Sequence, residues 1–222
     1  MSDFPQYFDI ILFAMIAAFL VLRLRSVLGR RTGHQRRQDG ILRPAEAPGD
    51  NLATLASRRS VPPPPLITAT PPAAAAAGLE QIGAADAGFD AAHFLEGARV
   101  AFEMVVSAFA AGDKTRLRPL LNDEVYKPFS TAIDERVAAQ ETLETRILRL
   151  KRLDVVEAGL ANGVARVTVK FVSDQTNVLR AHDGSVVDGN PDAASEKTDF
   201  WTFARDTGSP DPNWTLVATS SG

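Results

Sequence analysis

The stretch Asn162-Gly163-Val164-Ala165-Arg166-Val167-Thr168-Val169-Lys170-Phe171-Val172 decides the fold. An Asn-Gly pair is a strong signal for a two-residue hairpin turn, because both central positions of that turn need a positive φ. After the pair, small or apolar side chains alternate with mostly polar ones, so one face of the strand is buried and the other is mostly polar. The stretch therefore predicts an antiparallel hairpin within a sheet that is covered on one side.

Further strand patterns surround this hairpin. A strand is predicted before it over about residues 147–156, and others after it over about 176–182, 197–205 and 214–219. Asp183-Gly184 predicts a turn, and residues 184–195 predict a polar loop. The second half of the chain therefore predicts an antiparallel meander.

Helical periodicity comes before the strands. Apolar residues between Leu95 and Phe109 fall on one stripe, Asp90 is placed to cap the start of this helix, and Gly112 is placed to end it. Since helices come first and antiparallel strands follow, we predict an α+β domain over residues 89–222, with helices packed on one face of a curved sheet.

Two more helices are predicted between this helix and the sheet. Asp113 is placed to cap a short one, and Asn122 or Asp123 to open another that reaches Val137. Pro128 is expected to be tolerated only near the first turn of that helix, where its missing N–H costs little.

The N-terminus carries an uncharged apolar run with arginines on one side only. Tyr7–Leu28 reaches the roughly 20 residues that span a bilayer if Asp9 lies at one interface and Arg23 and Arg25 snorkel to the other. The alternative, a cleavable signal peptide, needs positive charge before the run and a small-residue cleavage site after it. Residues 1–7 contain no Lys or Arg, so we predict that residues 1–28 are a transmembrane signal anchor.

Orientation follows from the same arginines, because Lys and Arg near the end of a span stay on the cytoplasmic side. In a bacterium the chain is therefore predicted to be a single-pass protein of the cell inner membrane whose C-terminal domain is cytoplasmic. Residues 29–88 are predicted to be a basic juxtamembrane and Pro/Ala-rich disordered linker, with Pro62–Pro65, Pro71-Pro72 and Ala73–Ala77 and few aromatic residues. A ligand for an SH3-like domain is the alternative interpretation of the proline run.

Charge is distributed unevenly along the chain, whose net charge is −3. Residues 1–88 carry nine arginines and seven acids, whereas residues 89–222 carry 15 basic and 20 acidic side chains. An acidic domain argues against general nucleic-acid binding, which needs a basic surface. The absence of cysteine excludes disulfides and thiol chemistry and agrees with a reducing compartment.

Residues for catalysis are few. The common nucleotide-binding, nucleophile-elbow and zinc-protease motifs do not occur, and the three histidines have no second ligand at metal spacing. Asp199, His182 and Tyr126 are the candidates for acid–base chemistry, and nothing in the sequence brings them together. We therefore predict a protein that is not an enzyme and that has no cofactor or metal.

Two groups of side chains are candidates for binding. Aromatic residues of the helices and strands form either the core or a hydrophobic pocket, made of Phe102, Phe109, Phe171, Trp201, Phe203 and Trp214. Alternation places Phe200 on the opposite face from Trp201. Cationic residues form either a solvated face or a patch for lipid head groups or an acidic partner, made of Arg23, Arg25, Arg30, Arg31, Lys114, Arg116, Arg118, Arg146, Arg149, Lys151 and Arg152.

Several of these segments carry a family resemblance. The anchor ends in Leu28-Gly29-Arg30-Arg31-Thr32-Gly33, and the domain opens with Phe94-Leu95-Glu96-Gly97-Ala98-Arg99-Val100-Ala101-Phe102. It closes with Asp199-Phe200-Trp201-Thr202-Phe203-Ala204-Arg205 and then Trp214-Thr215-Leu216. Together these segments resemble the Tim44-like family, and within it the bacterial TimA-type members.

The resemblance implies an NTF2-like, cone-shaped domain with an apolar pocket and a role as a non-catalytic adaptor. The mitochondrial relative is an inner-membrane adaptor of a protein translocase that recruits Hsp70, and this chain lacks the long charged helical region that does so there. Partner proteins and membrane are therefore expected. Lipid or small-ligand binding in the pocket, ribosome–membrane tethering and an NTF2-like enzyme remain as alternatives.

Overall fold

The computed structural model describes residues 66–67 and 70–222, which form a layer of helices packed on one six-stranded sheet. The helices are α1 (Ala73–Ala85), α2 (Ala91–Ala111), α3 (Lys114–Leu117) and α4 (Asp123–Ala138). The strands are β1 (Leu66–Ile67), β2 (Thr142–Ala161), β3 (Val164–Arg180), β4 (Val186–Gly189), β5 (Ser195–Asp206) and β6 (Thr215–Ser221). The prediction of an α+β domain with helices on one face of a curved antiparallel sheet is confirmed.

The β2–β3 hairpin forms as the sequence predicts. Asn162 and Gly163 have φ values of 52° and 77°, which is the conformation that a tight hairpin turn needs. Ala165, Val167 and Val169 are buried on the face that the helices cover, which we call the inner face. A separate strand over 176–182 was expected, but β3 continues unbroken to Arg180, because the polar run after Val172 contains no Gly or Pro to stop the ladder.

Three irregularities curve the sheet along β2. The register with β3 shifts between Ile147 and Arg149, between Leu150 and Arg152, and between Val155 and Glu157. Each extra residue bends its strand and increases the local twist. The resulting strand order is β1-β2-β3-β5-β6, and β4 pairs with the C-terminal end of β3.

The segment predicted as a polar loop contains the short strand β4. Its residues pair with Val178–Arg180 after a turn in which Gly184 has a φ of 81°. The polar composition of this segment predicted a loop, which is wrong for residues 186–189. Strand β4 lies at the periphery of the sheet, where a strand gains backbone hydrogen bonds without burying apolar side chains.

Helix starts and stops follow the predicted capping residues. The side chains of Asp90, Asp113 and Asn122 each accept a hydrogen bond from the backbone N–H three residues further on, at 2.7, 3.0 and 2.9 Å. Gly112 ends α2 with a φ of 71°. Pro128 lies inside α4 beyond its first turn, contrary to expectation. The buried side chains on both sides of it in α4 offset the missing backbone hydrogen bond.

Helix α1 corrects the predicted boundary of the domain. It lies within the expected disordered linker, yet Ala75 and Ile82 are 1% and 0% exposed. Small residues let α1 approach the sheet closely: a Cβ atom at Gly78 would lie 1.9 Å from the Ala158 carbonyl oxygen of β2. A composition poor in large apolar residues therefore still packs, and the folded part begins before Ala73 instead of at residue 89.

Membrane spans can be assessed only for the part that the structure describes. Among residues 66–67 and 70–222, no helix is both long and apolar enough to cross a bilayer. The predicted anchor, Tyr7–Leu28, lies outside the described residues, as does the linker up to residue 65.

Candidate functional site

Aromatic rings fill the space between α2 and the inner face of the sheet. Phe102 stacks on Phe171 with a centroid distance of 4.4 Å and contacts Trp201 at 4.8 Å. All three are buried, as is Phe203. Phe200 is on the opposite face, as predicted. The structure thus places four of the six predicted pocket residues in one packed core.

The remaining two predicted pocket residues lie at opposite ends of this core. Trp214 is half-buried and contacts Phe94 of α2 at a centroid distance of 4.7 Å. Phe109, near the end of α2, contacts Phe129 of α4 at 5.0 Å. Since the ring of Phe109 packs on α4, the aromatic packing turns from the sheet to the helices at this end.

Arg136 of α4 holds the C-terminal end of α2. Its Nη2 atom donates to the carbonyl oxygens of Phe109 and Ala110 at 2.6 and 3.2 Å, and its guanidinium lies over the Phe109 ring. The side chain is buried, and burial lowers the pKa of Arg136 from its usual value. A cation at this position satisfies carbonyls that have no partner within the helix.

An ion pair between Asp86 and Arg205 joins the turn after α1 to β5. Both side chains are mostly buried, at 17% and 14% exposed. The Arg205 guanidinium also lies over the Trp214 ring, 5.4 Å from its centroid, and Asp86 accepts a hydrogen bond from the Gly88 N–H. This cluster fixes α1 to the sheet.

The inner face is polar at the end away from the Asp86–Arg205 ion pair. Ser173 and Gln175 are buried, and the Gln175 amide donates to the Ser173 hydroxyl at 2.8 Å. Asp199 of β5 is half-buried and accepts a hydrogen bond from Ser221 at 3.3 Å. Burial raises the pKa of Asp199, and the hydrogen bond from Ser221 and the charge of Lys197 offset this only in part.

The candidates for acid–base chemistry are not brought together. Asp199 pairs with Phe171 in the middle of β3, whereas His182 lies in the turn beyond the end of that strand. Tyr126 is in α4, where its ring lies under the guanidinium of Arg118. Within the described ranges, no three acidic or histidine side chains are placed to hold a metal ion.

Of the seven residues of the predicted cationic patch that the structure describes, four are paired with acids. Lys151 contacts Asp174 and Glu196 at 2.7 and 2.8 Å, and Arg152 contacts Asp154 at 2.8 Å. On the helices, Lys114 pairs with Asp134, and Arg118 pairs with Asp123. These local pairs reduce the positive potential that the sequence cluster suggested.

The patch is also divided by the fold. Arg146, Arg149 and their neighbours lie on β2, whereas α3 and α4 lie toward β6, which is separated from β2 by two strands. Arg116, Arg146 and Arg149 are exposed and form no ion pair among the described residues. The four juxtamembrane arginines of the prediction lie outside the described residues.

Sequence reasoning missed Asp86, Ser173 and Gln175. Asp86 lay in the expected linker, and its partner Arg205 is distant in the sequence. Ser173 and Gln175 continue the alternation of β3, and that periodicity was the one local signal that placed them on the inner face.

These features belong to a known class of domain. The model of the Tim44-like domain family matches residues 75–221, so the chain belongs to that family. Asp199, Trp201, Phe203 and Arg205, on which the sequence resemblance rests, alternate along β5 and face the inner side.

A solved structure is also similar to this chain. The crystal structure of the intermembrane space region of the chloroplast protein ARC6 is similar to this chain with a TM-score of 0.44 and 12% identity, covering 57% of this chain and 95% of that one. No curated protein matches the sequence.

Proposed function

We propose that this protein is a membrane-anchored, non-catalytic adaptor of the bacterial TimA type. In this proposal one N-terminal helix holds the chain in the inner membrane, and the Tim44-like domain gathers partner proteins at the cytoplasmic face, for protein translocation or membrane-protein assembly. The observation that carries the proposal is the presence in one chain of a Tim44-like domain over residues 75–221 and the apolar, arginine-flanked segment Tyr7–Leu28.

Two features of the domain support a non-catalytic role. The inner face is occupied by aromatic rings that pack on one another. The groups that acid–base catalysis needs, Asp199, His182 and Tyr126, lie on separate elements, so they do not form an acid–base pair. A scaffold needs neither a cleft nor such a pair.

Cross-linking in native membranes tests the adaptor function. The full chain with a C-terminal tag is expected to enrich a defined set of proteins after cross-linking. A matched chain that keeps residues 1–69 but lacks the domain is expected to lose them. Equal enrichment by both chains would contradict the proposal, because the anchor alone would then account for the contacts.

A second candidate function is the binding of a small ligand at the polar end of the inner face. Its support is the desolvated Asp199 carboxyl, since shifted carboxyl groups cluster at binding sites. Asp199 lies on β5 opposite Phe171, two residues along β3 from Ser173 of the buried Ser173–Gln175 pair. Native mass spectrometry of the purified full chain tests this function. A retained molecule that is lost in Asp199→Ala would support it, and a wild-type chain that carries no added mass would contradict it.

A further inference from the structure

One edge of the sheet is largely uncovered. Strand β2 pairs with β3 along its whole length, from Thr142 to Ala161. On its other side, β1 pairs only with Arg152 and Leu153, and α1 lies against the backbone at Ala158. In the part of the chain that the structure describes, residues 142–151 of β2 therefore form a free edge with unpaired N–H and C=O groups.

Strand β1 already pairs with β2 immediately beyond one end of this free edge. Leu66 and Ile67 pair in parallel with Arg152 and Leu153, so the next partners along the free edge would be the residues that precede Leu66. Those residues are Pro62–Pro65. Proline has no backbone N–H, so these four residues lack the donors that a ladder along residues 148–151 would need. The sequence next to β1 is therefore poorly suited to complete the edge.

Charge on the free edge favours an acidic occupant. Arg146 and Arg149 are exposed and have no ion pair among the described residues, whereas the adjacent Lys151 and Arg152 are neutralised by acids. Arg146 and Arg149 are thus unpaired cations on a domain that is acidic as a whole, since residues 70–222 carry 15 basic and 22 acidic side chains, a net charge of −7. Unpaired cations on an acidic domain are the groups that an acidic segment complements.

An apolar side chain lies between these two arginines. The register shift between Ile147 and Arg149 makes Leu148 the extra residue of a bulge, and Leu148 is 47% exposed. Strand addition gains affinity from main-chain hydrogen bonds and specificity from side chains on the added strand. We propose that residues 142–151 bind an acidic, extended segment of a partner protein, which adds to the sheet next to β2 and places an apolar residue against Leu148.

This proposal rests on the adaptor function and names the surface that it uses. A bulged, cationic edge strand could instead have either of two different roles. Bulges and charges also protect edge strands from pairing, in which case no segment binds. Arginines on an edge can also contact anionic lipid, in which case binding needs charge but no backbone N–H groups.

Binding of a defined peptide to the full chain in nanodiscs of neutral lipid distinguishes these three roles of the edge. The probe is a fluorescent eight-residue peptide with alternating Glu and Val, compared with the same peptide with Lys in place of Glu. A third peptide carries N-methyl groups on alternate amides along one edge. We expect saturable binding of the first probe and binding about tenfold weaker or absent for the other two.

Charge variants give the matched controls. Arg146→Glu with Arg149→Glu is expected to weaken binding of the acidic probe about tenfold, and the corresponding Lys substitutions to retain it. Arg116→Glu is the control, because Arg116 is exposed and unpaired but lies on α3. No saturable binding, equal binding of the N-methylated peptide, or equal loss in Arg116→Glu would each overturn the proposal.

The adaptor function can survive such a failure. If the acidic probe does not bind but cross-linking still enriches domain-dependent partners, the function stands and the edge is not the docking surface. If binding shifts to nanodiscs of anionic lipid and needs the same arginines, the surface contacts membrane and the strand-addition proposal is wrong.

Discussion

The guanidinium of Arg136 caps the C-terminal end of α2 from a neighbouring helix. Arg136→Ala removes its hydrogen bonds to Phe109 and Ala110, so the Phe109 carbonyl keeps only the Gly112 N–H and the part-buried Ala110 carbonyl loses its side-chain partner. We expect the free energy of unfolding to fall by about 2 kcal/mol. Urea denaturation of a fragment spanning residues 70–222 measures it.

Arg116→Ala is the control for this substitution, because Arg116 is exposed. Its effect is expected to stay within about 0.5 kcal/mol. Similar losses for the two substitutions would show that the contacts of Arg136 do not stabilise the fold.

Asp199 gives a prediction on pH dependence. Because burial raises its pKa in the folded state, the folded protein holds this proton at pH values where the unfolded chain has lost it. Ionisation of Asp199 therefore lowers stability as pH rises from the ordinary pKa of Asp, about 3.9, through the raised value. Asp199→Asn removes this loss.

The stability of Asp199→Asn minus that of the wild type is thus expected to increase as pH rises through this interval. Denaturation of both proteins in the same buffers between pH 3 and 7 checks the sign, since the other carboxyl groups are common to both. A difference that is independent of pH, or that decreases, would contradict the assignment.

Helix α1 contains two glycines in contrasting environments. A Cβ atom at Gly78 would lie 1.9 Å from the Ala158 carbonyl oxygen, whereas nothing lies within 4 Å of one at Gly83. Gly78→Ala is expected to destabilise the fragment 70–222 by about 2 kcal/mol, because the helix must move away from the sheet. Gly83→Ala is expected to stabilise it by about 0.5 kcal/mol through helix propensity.

Thermal unfolding of the two variants compares them directly. If Gly78→Ala is as stable as Gly83→Ala, α1 does not pack closely on β2.

Local signals in the sequence predicted most elements. The Asn162-Gly163 turn, the cap at Asp90 and the stop at Gly112 each depend on one or two neighbouring residues, so the sequence alone locates them. Helix α1 could not be predicted in this way. Its stability depends on a close approach of Gly78 to a strand that follows much later in the chain, and its composition is typical of a linker.

The candidate site, too, could be predicted from the sequence only where local periodicity determines it. Alternation placed Trp201 and Phe203 on one face correctly, because strand periodicity is local. The ion pairs of Lys151 with Asp174 and Glu196 depend on the register of three strands, so the sequence cluster of cations exaggerated the basic patch.

At the scale of the whole molecule, the folded part is larger than predicted. Limited proteolysis of the full chain is expected to leave a resistant fragment that begins before Ala73, because Asp86 and Ile82 attach α1 to the sheet. N-terminal sequencing of the fragment checks this. A stable fragment that starts near Gly88 would contradict the role of α1.

The domain itself is expected to bind anionic vesicles weakly. Its net charge of −7 over residues 70–222 opposes attraction, and four of its cationic side chains in the predicted patch are paired with acids. Vesicle flotation of the fragment measures this, and binding that resists 1 M salt would contradict it, since the Debye length is then about 3 Å.

The proposed function requires that the N-terminal segment holds the Tim44-like domain at the cytoplasmic face of a membrane. Protease protection of the full chain with a C-terminal tag tests it most directly, in intact spheroplasts and in inside-out inner-membrane vesicles. We predict that the tagged domain is protected in spheroplasts and is released from the vesicles as a fragment containing α1. Digestion in intact spheroplasts, or recovery of the uncut chain without membranes, would contradict the claim.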